Sequence, residues 1–353
     1  MNIPAIWQVG KAALLDDLRA KAHLPAVTSP RERSAPRSHE RRRPNGPSLP
    51  VVWHEAYEVD LGPHVFPTAK YRLVCERLLG EGTISERDIV RPEPAPHDWL
   101  ALVHTDAYLS KIDGNSFSTM ERMLLEVPYT AAVRDASYLS VGGAVACARL
   151  AMTRGVAVHL GGGFHHAFAD HGEGFCVLND VAVAIRVLQH EGAIRRALVI
   201  DLDVHHGNGT ATIFTGDPTV FTFSMHQQAN YPAVKPSSDL DIGLRDGSGD
   251  DEYLALLGEH LPEIVERHRP DLACYLAGAD PYEHDQLGGL ALTLEGLERR
   301  DRLVFATLAA SRVPVAVSLA GGYAVSVADT VEIHCRTVRV ARDALSASGG
   351  PFA

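Results

Sequence analysis

Aspartate and histidine, both common metal ligands, follow two apolar runs of the sequence. Asp203 and His205 come directly after the run 197–202, and Asp280 follows the run 272–276. Side chains alternate along an extended segment, so residues two positions apart point to the same side. Two carboxylates and one imidazole leave a fourth position open, as in a catalytic zinc site, and ferrous iron accepts the same ligands. We therefore predict a metal held by Asp203, His205 and Asp280.

Proton-transferring side chains stand beside this predicted metal site. His165 and His166 follow a glycine-rich turn. Such a pair can take a proton from water and pass one to a leaving amine. We expect Asp201, on the same side of its strand as Asp203, to hold one imidazole in a fixed tautomer. Tyr323 follows two glycines that permit a close approach, so its hydroxyl can hydrogen-bond an oxyanion beside the metal.

The elements that must position these residues are visible as five short apolar runs, each leading into a polar or glycine-rich cluster. The runs are 156–160, 197–202, 220–225, 272–276 and 315–319, and amphipathic stretches lie at 136–154, 180–191, 251–268 and 293–311. Alternating strands and helices predict an α/β fold with a mostly parallel sheet covered on both faces. In such sheets the site lies beyond the carboxyl ends of the strands, which brings the five clusters together.

Composition narrows the function further. The chain has 353 residues, a net charge of −11 and 46% hydrophobic residues. An acidic chain is a poor nucleic-acid binder and mildly favours basic substrates such as a lysine or a polyamine. The five cysteines form no CxxC pair, which favours a reducing compartment, and we expect the cytoplasm. We read neither a secretory signal nor a run of roughly 20 apolar residues that could span a membrane.

The first fifty residues differ from the rest. The segment 29–50 is rich in arginine, proline and serine and has almost no apolar residues, although a short helix is possible at 9–22. Such a segment cannot bury enough surface to order itself. We therefore predict a disordered basic extension over 1–50 and a single catalytic domain over 51–345.

Other catalytic classes find little support in the residues. The sequence has no GxSxG elbow and no GxGxxG or GxxxxGK[ST] nucleotide loop. Cys176 lies near the histidines, but its apolar surroundings suit a packing residue better than a nucleophile.

Five motifs in the same order resemble the zinc-dependent histone deacetylase family. They are GGGFHHA at 161–167, GFCVLND at 174–180, DLDVHHGNGT at 201–210, AGAD at 277–280 and LAGGY at 319–323. The resemblance runs from about residue 51 to about residue 340. The segments FTFSMH at 221–226, SDLD at 238–241 and DQLGG at 285–289 are most similar to class IV and to bacterial histone deacetylase-like proteins.

This resemblance implies a three-layer α/β/α arginase-deacetylase fold and a role for each matched residue. Zn²⁺, or Fe²⁺ in the cell, would be held by Asp203, His205 and Asp280. His166 would be the general base and acid, His165 with Asp201 its electrostatic partner, and Tyr323 would polarise the scissile carbonyl. The carbonyl of Gly174 would bind the substrate amide, and Phe175 and Tyr231 would wall an acyl-lysine channel. A structural K⁺ is implied near Asp201, Asp203, His205, Ser224 and Met225.

The chain departs from the family at informative positions. Asn208 stands where class I members carry an aspartate beside the second histidine, and a neutral partner should leave His166 less basic. His206 replaces the glutamine common in class IV relatives. Leu287 occupies the position of a selectivity group in polyamine-specific relatives, and the absence of an acidic residue there disfavours polyamines.

The expected activity is therefore metal-dependent removal of acyl groups from lysine in a protein or peptide. The nearest alternative is deacylation of acetylpolyamines or other small amides, and class IV relatives suggest acyl groups longer than acetyl. A two-metal ureohydrolase would need further carboxylates where His206, Gly207 and Asn208 stand. A binding module for acyl-lysine without catalysis is disfavoured because every predicted catalytic residue is present. The oligomeric state stays open.

Overall fold

The computed structural model describes residues 48–347. The predicted helix at 9–22 and the predicted disorder of residues 1–47 lie outside the described residues. Within them, eight strands form one sheet, and every strand pairing is parallel. The strands are β1 (Val51–Val52), β2 (Ile89–Val90), β3 (Val156–His159), β4 (Ala197–Asp201), β5 (Val220–Gln227), β6 (Leu240–Leu244), β7 (Leu272–Leu276) and β8 (Val315–Ser318). Their order in the sheet is β2-β1-β3-β8-β7-β4-β5-β6.

Among the described residues, helices connect successive strands of the sheet except β5 and β6, and a last helix follows β8. They are α1 (Lys70–Glu81), α2 (His97–Leu100), α3 (Asp106–Gly114), α4 (Thr119–Leu125), α5 (Ala131–Arg154), α6 (Asp180–His190), α7 (Asn208–Ile213), α8 (Asp250–His268), α9 (Leu294–Ala310) and α10 (Val327–Ala347). Short 3-10 turns lie at Glu55–Tyr57 and Glu86–Asp88. None of the described helices is long and apolar enough to cross a membrane.

The sheet separates two hydrophobic cores. Along β4, Leu198 and Ile200 belong to one core, whereas Ala197 and Val199 belong to the other. Because successive side chains of a strand point to opposite faces, a strand apolar at every position must be covered on both sides. Helices α1, α8, α9 and α10 contribute to the first core, and α3, α5 and α6 to the second. The predicted α/β fold with its three layers is confirmed.

The five predicted strands are five consecutive members of the sheet, in the order β3-β8-β7-β4-β5. Their predicted ends ran one residue too far at Leu160, Leu202 and Leu319, which are buried in the loops that lead to the site. The structure also adds β1, β2 and β6. Strands β1 and β2 have only two residues each, and so short a run carries no readable periodicity.

Candidate metal centre and active site

Asp203, His205 and Asp280 come together as the sequence predicted. One ligand atom from each lies within 4.8 Å of the other two, and all three residues are buried. His205 Nδ1 lies 3.0 Å from Asp203 Oδ1 and 3.5 Å from Asp280 Oδ2. The reason is topological, since the loops after β4 and β7 leave two strands that are paired neighbours. These three residues are called the first cluster below.

Backbone amides fix the carboxylates of the first cluster. The amide of Val204 donates to Asp280 Oδ1 at 2.9 Å, and that of Gly321 donates to Asp203 Oδ2 at 2.8 Å. The amide of His205 donates to Asp203 Oδ1 at 3.0 Å. These bonds hold both carboxylates in place beside His205.

The first cluster fits a cation. Asp280 Oδ2 is buried and has no hydrogen-bond partner among the described residues. A Cβ at Gly321 would lie 1.8 Å from this oxygen, so only glycine leaves the space free. Burial, and then repulsion from Asp203, raise the pKa of Asp280 to about 7. Burial lowers the pKa of His205, but the nearby carboxylates of Asp203 and Asp280 outweigh it and raise that pKa to about 10. A proton on His205 thus balances part of the negative charge of the two carboxylates. A metal ion could take the place of this proton, and the nitrogen and oxygen ligands present suit Zn²⁺ or Fe²⁺.

The two histidines of the glycine-rich turn have different partners and opposite shifts. His165 Nδ1 lies 2.7 Å from Asp201 Oδ2. Burial opposes protonation of His165, but the charges of Asp201 and Asp203 prevail and raise its pKa to about 9. His166 Nδ1 lies 2.7 Å from Asn208 Oδ1. Burial, and then the charges of His165 and His205, hold the pKa of His166 well below its usual value. The geometry thus places a cationic His165 beside a neutral His166.

The low pKa of His166 agrees in direction with the prediction made from Asn208. Its cause is different, because the hydrogen bond to Asn208 itself raises this pKa. Burial and the neighbouring positive imidazoles outweigh that bond. The sequence showed the neutral partner but not the desolvation that dominates.

Tyr323 reaches the same site from the loop after β8. Its ring centroid lies 6.4 Å from that of His205, and its side chain is almost completely buried. Burial, and then the charges of Asp203 and Asp280, raise the pKa of Tyr323 well above its usual value, so the phenol remains a donor. The amide of Tyr323 donates to Asp285 Oδ2 at 2.7 Å. Asp285 also accepts the amides of Leu287 and Gly288, which ties two loops of the site together.

A cavity of about 340 Å³ opens onto these groups. Its lining includes both histidines, Asp203, His205, Tyr323, Gly174 and Phe175. Gly174 has a φ of +50°, and a Cβ there would lie 2.8 Å from His166 Cδ2. The thiol of Cys176 donates to the Gly174 carbonyl at 3.3 Å, so one of its two lone pairs remains for a ligand. Burial raises the pKa of that thiol far above normal, consistent with a packing role for Cys176.

Aromatic rings surround the cavity. Phe175 stacks on Phe66 with centroids 6.0 Å apart and lies 5.9 Å from the ring of Tyr323. The ring of Tyr231 is 4.9 Å from that of His166. Phe175 and Phe66 line the cavity, and the sequence did not indicate Phe66. Tyr231 packs against His166 but is not among the described residues that line it, so its role as a channel wall stays a prediction.

A second, larger cavity of about 510 Å³ lies beside the first. Both are lined by Phe66, Tyr71, Gly162, Phe164 and Phe175. The rest of its lining is mostly apolar and includes Val59, Leu61, Val127, Val133 and Val177. The metal-facing cavity therefore has an apolar neighbour with which it shares a wall.

Two charged residues of the site were missed from the sequence. Glu173 accepts hydrogen bonds from Asn208 Nδ2 and, at 2.9 Å, from the hydroxyl of Tyr231, so it links the partner of His166 to the channel wall. Lys70 is fully buried and donates to the Ala320 carbonyl at 2.7 Å, three residues before Tyr323. Burial lowers the pKa of Lys70 to about 8, against the attraction of Asp280 and Asp203. A signal existed for Lys70, which lies on the apolar stripe of α1 with Val74 and Leu78.

The remaining predicted residues are less central. Leu287 is half-buried, and its carbonyl accepts from Asn230 Nδ2 at 2.7 Å, but it is not among the described residues that line either cavity. Of the predicted potassium ligands, Asp201 and Ser224 are register partners on β4 and β5. Ser224 Oγ lies 3.0 Å from His226 Nδ1. The potassium site stays a prediction.

Comparisons with known proteins agree with one another. The Histone deacetylase domain family matches residues 64–338. The chain is 43% identical to an uncharacterized protein of Picosynechococcus sp. over 84% of this chain and 99% of that protein. It is 32% identical to histone deacetylase 2 of Arabidopsis thaliana over 80% of this chain and 77% of that protein. The crystal structure of the HDA15 HD domain has the same fold, with a TM-score of 0.72 and 24% identity over 84% of this chain and 88% of that chain.

Proposed function

The chain belongs to the histone deacetylase family, and on that basis we propose that it is a metal-dependent amidohydrolase that removes acyl groups from lysine side chains. Family membership supports deacetylase activity in general. The observation that carries the finer proposal is the buried, unpartnered oxygen of Asp280 in a cluster with Asp203 and His205, open to a cavity lined by His165, His166 and Tyr323.

Asp203, His205 and Asp280 would hold Zn²⁺ or Fe²⁺. The bound ion would act as a Lewis acid that polarises the scissile carbonyl and lowers the pKa of the attacking water. His166 Nδ1 donates its proton to Asn208 Oδ1, which leaves Nε2 unprotonated. Nε2 can therefore accept a proton from that water and return it to the leaving nitrogen. Water would add to the carbonyl first, and the C–N bond would break when the leaving nitrogen takes the proton from His166, so that the products are a carboxylic acid and a free amine.

Charge developing on the carbonyl oxygen is met by residues of the chain. Tyr323 keeps its proton and can donate it in a hydrogen bond to that oxygen. The imidazolium of His165, held by Asp201, adds positive charge beside His166. Lys70 and Asp285 would position Tyr323 rather than touch the substrate. They hold the backbone on either side of the Gly321–Gly322 turn that leads to it.

The substrate proposal rests on the walls of the channel. Phe175 lines the metal-facing cavity and Tyr231 packs against His166, so their rings can contact the aliphatic stem of an acyl-lysine, and the free lone pair of Gly174 can accept its amide N–H. A polycation would gain from a carboxylate at the mouth, and Leu287 offers none. Acetylpolyamines therefore remain the alternative substrate.

The apolar neighbouring cavity favours an acyl group longer than acetyl. Exposed apolar side chains accumulate near the same walls. Met120, Met123 and Leu124 lie on α4, where Leu124 and Leu125 accept the amides of Gly174 and Phe175. Val234 and Val325 are also exposed, three and two residues from Tyr231 and Tyr323. An exposed apolar surface of this kind suits a substrate with apolar groups, such as a long acyl chain.

Several finer predictions continue as part of the proposal. They are a single catalytic domain over 51–345, placement near class IV, a K⁺ near Asp201 and Ser224, and a cytoplasmic location. The last is supported by five buried cysteines, all of them free thiols.

The test is turnover of fluorogenic acyl-lysine peptides from acetyl to myristoyl, beside acetylpolyamines, with zinc-loaded, ferrous and chelated protein. Asp280→Asn, which keeps the shape of the side chain, is the matched control. Metal-dependent release that is lost in this variant supports the proposal, and a maximum beyond acetyl supports the role of the second cavity. Turnover of polyamines alone would contradict the lysine assignment. No turnover by folded, metal-bound protein would leave an acyl-lysine binding module as the function.

A further inference from the structure

We propose that the chain carries a second metal site of the zinc type, formed by His206, His226 and Asp241. These residues, called the second cluster below, come from the loop after β4, the end of β5 and the start of β6. The register of the parallel strands brings them together, because Asp201 of β4 lies opposite Ser224 of β5, and Ser224 lies opposite Asp241 of β6. None of the three residues has a part in the proposed deacylation.

The spacing of the ligand atoms matches a coordination sphere. One atom from each residue lies within 4.8 Å of the other two. His206 Nε2 is 3.1 Å from Asp241 Oδ1. Bonds of about 2.0–2.1 Å at a tetrahedral zinc separate two ligands by about 3.3 Å. In the first cluster the corresponding separations are 3.0 and 3.5 Å. The one separation measured in the second cluster therefore falls within the range seen in the first.

The orientation of His226 also favours coordination. Its Nδ1 lies 3.0 Å from Ser224 Oγ, and its Nε2 has no hydrogen-bond partner among the described residues. When Nδ1–H donates to the hydroxyl, the lone pair is left on Nε2. Fixing the tautomer through the distal nitrogen is the usual way in which a protein prepares a histidine as a ligand. The whole His226 residue is 2% exposed, so its ring is held in place by its surroundings.

The chemistry of the ligands and the access route point to a transition-metal ion. Two imidazoles and one carboxylate suit Zn²⁺, whereas Mg²⁺ and Ca²⁺ prefer oxygen alone. The side chain of Asp241 keeps 29% of its surface exposed, which gives the ion a path from solvent. Ser238 Oγ, 3.4 Å from His206 Nε2, or a water molecule can complete four ligands.

A metal here would join segments that shape the active site. His206 follows His205 of the first cluster directly. His226 and Asp241 bracket the segment 227–240, which contains Tyr231 of the channel wall. An ion bound by all three residues would therefore fix the distance between the first cluster and this wall. We assign it a structural rather than a chemical role.

The experiment counts zinc in the full chain after loading and gel filtration in metal-free buffer. The variants are Asp241→Asn, His226→Gln, Asp280→Asn and the double variant Asp241→Asn/Asp280→Asn. Asp239→Asn is the matched control, because it removes a carboxylate two residues from Asp241 that binds Thr222 and lies outside the cluster. Far-UV circular dichroism checks the fold of each variant.

We expect two zinc ions per chain in the wild type and in Asp239→Asn, one in each single variant of either cluster, and none in the double variant. In the Asp280→Asn background, zinc should raise the melting temperature, and adding His226→Gln should abolish that rise. A single zinc in the wild type that Asp280→Asn removes completely would overturn the proposal, because His206 would then simply donate a hydrogen bond to Asp241. So would two zinc ions in both Asp241→Asn and His226→Gln. Loss of zinc from Asp280→Asn alone would support the first cluster whatever the second does.

Discussion

His205 and His206 are adjacent in the chain but belong to different clusters, and the contrast between the clusters separates a reactive site from a structural one. The first cluster holds two carboxylates and one imidazole, all buried, and leaves one carboxylate oxygen without a partner. The second holds one carboxylate and two imidazoles, and its carboxylate is half-exposed. Asp241 Oδ2 also accepts the amide of Ser238 at 2.8 Å.

The difference lies in how negative charge is balanced. In the first cluster two buried carboxylates repel each other, and protons on His205 and His165 compensate them when no metal is bound. A buried charge without compensation is costly, so this cluster favours positive charge, supplied by these protons or by a bound metal ion. In the second cluster the single carboxylate already accepts hydrogen bonds from the amide of Ser238 and from His206. Only the first cluster is also surrounded by groups that transfer protons, which is why turnover is assigned to it alone.

The largest effect should separate the two clusters directly. Asp280→Asn removes a charged ligand of the first cluster, and turnover should fall on the order of 1,000-fold, since Lewis-acid stabilisation is worth several kcal/mol. Asp241→Asn should cost far less. Initial rates on an acyl-lysine peptide, with metal content measured on the same samples, decide the comparison. Equal losses in the two variants would erase the distinction between reactive and structural sites.

The histidine pair sharpens the same contrast. His166→Ala should reduce turnover on the order of 100-fold or more, as expected for loss of a general base. His165→Ala should cost less, because His165 acts through its charge. Neither should lose the metal of the first cluster. The kcat of the two variants, at matched metal content, gives the order, and the reverse order would exchange the two assignments.

Tyr323→Phe tests whether the hydroxyl of Tyr323 stabilises the oxyanion beside the first cluster. Removal of one oxyanion donor should cut kcat on the order of 100-fold with unchanged zinc content. The fold should not change, because Tyr323 is held through its backbone amide by Asp285. Full activity of this variant would remove the phenol from the mechanism and leave oxyanion stabilisation to the metal.

The sequence predicts the fold well where strands are long enough to show a pattern. The run 272–276 matches β7 at both ends. Helix α5 begins five residues before its predicted start, at a point where Thr130 caps the helix by accepting from the amide of Val133. The order of the strands, which places β8 between β3 and β7, could not be read from the chain. Pairing of distant strands depends on tertiary packing, which leaves no local pattern.

The candidate site could be predicted where the residue type alone indicates a metal ligand or a proton-transferring group. Asp203, His205, Asp280 and the histidine pair could be read from their positions after strands. Glu173 could not, because a lone glutamate in a polar loop gives no sign that it will accept from both Asn208 and Tyr231. The second cluster was equally hidden. His206 and His226 stand in motifs that were read as family markers, and only the pairing of β5 with β6 brings Asp241 to them.

Above about pH 6.5, the pH dependence of stability should have one sign at the first cluster and the neighbouring His165. In metal-free protein the raised pKa values, about 9 for His165 and about 10 for His205, mean that the folded state binds more protons than the unfolded state above pH 6.5. Stability from these groups is therefore complete below about pH 6.5 and is lost as pH rises through 9 and 10. We expect a loss above about 3 kcal/mol between pH 6.5 and 9, measured by urea unfolding with a chelator. Zinc would replace the proton of His205 but not that of His165, so the loss should be smaller in zinc-loaded protein, and an equal loss would contradict the compensation argument.

The second cluster should show the opposite sign and the smallest effect. Burial, and then the charge of His206, lower the pKa of His226 to about 4. The unfolded state then binds a proton below pH 6.5 that the folded state refuses, so stability is lost as pH falls from 6.5 towards 4. Glutamine at this position cannot titrate. Between pH 6.5 and 4.5, metal-free wild type should therefore lose on the order of 2 kcal/mol more than His226→Gln in urea unfolding. Identical acid profiles would mean that His226 is protonated in the fold, and the two clusters would then respond to protons in the same way.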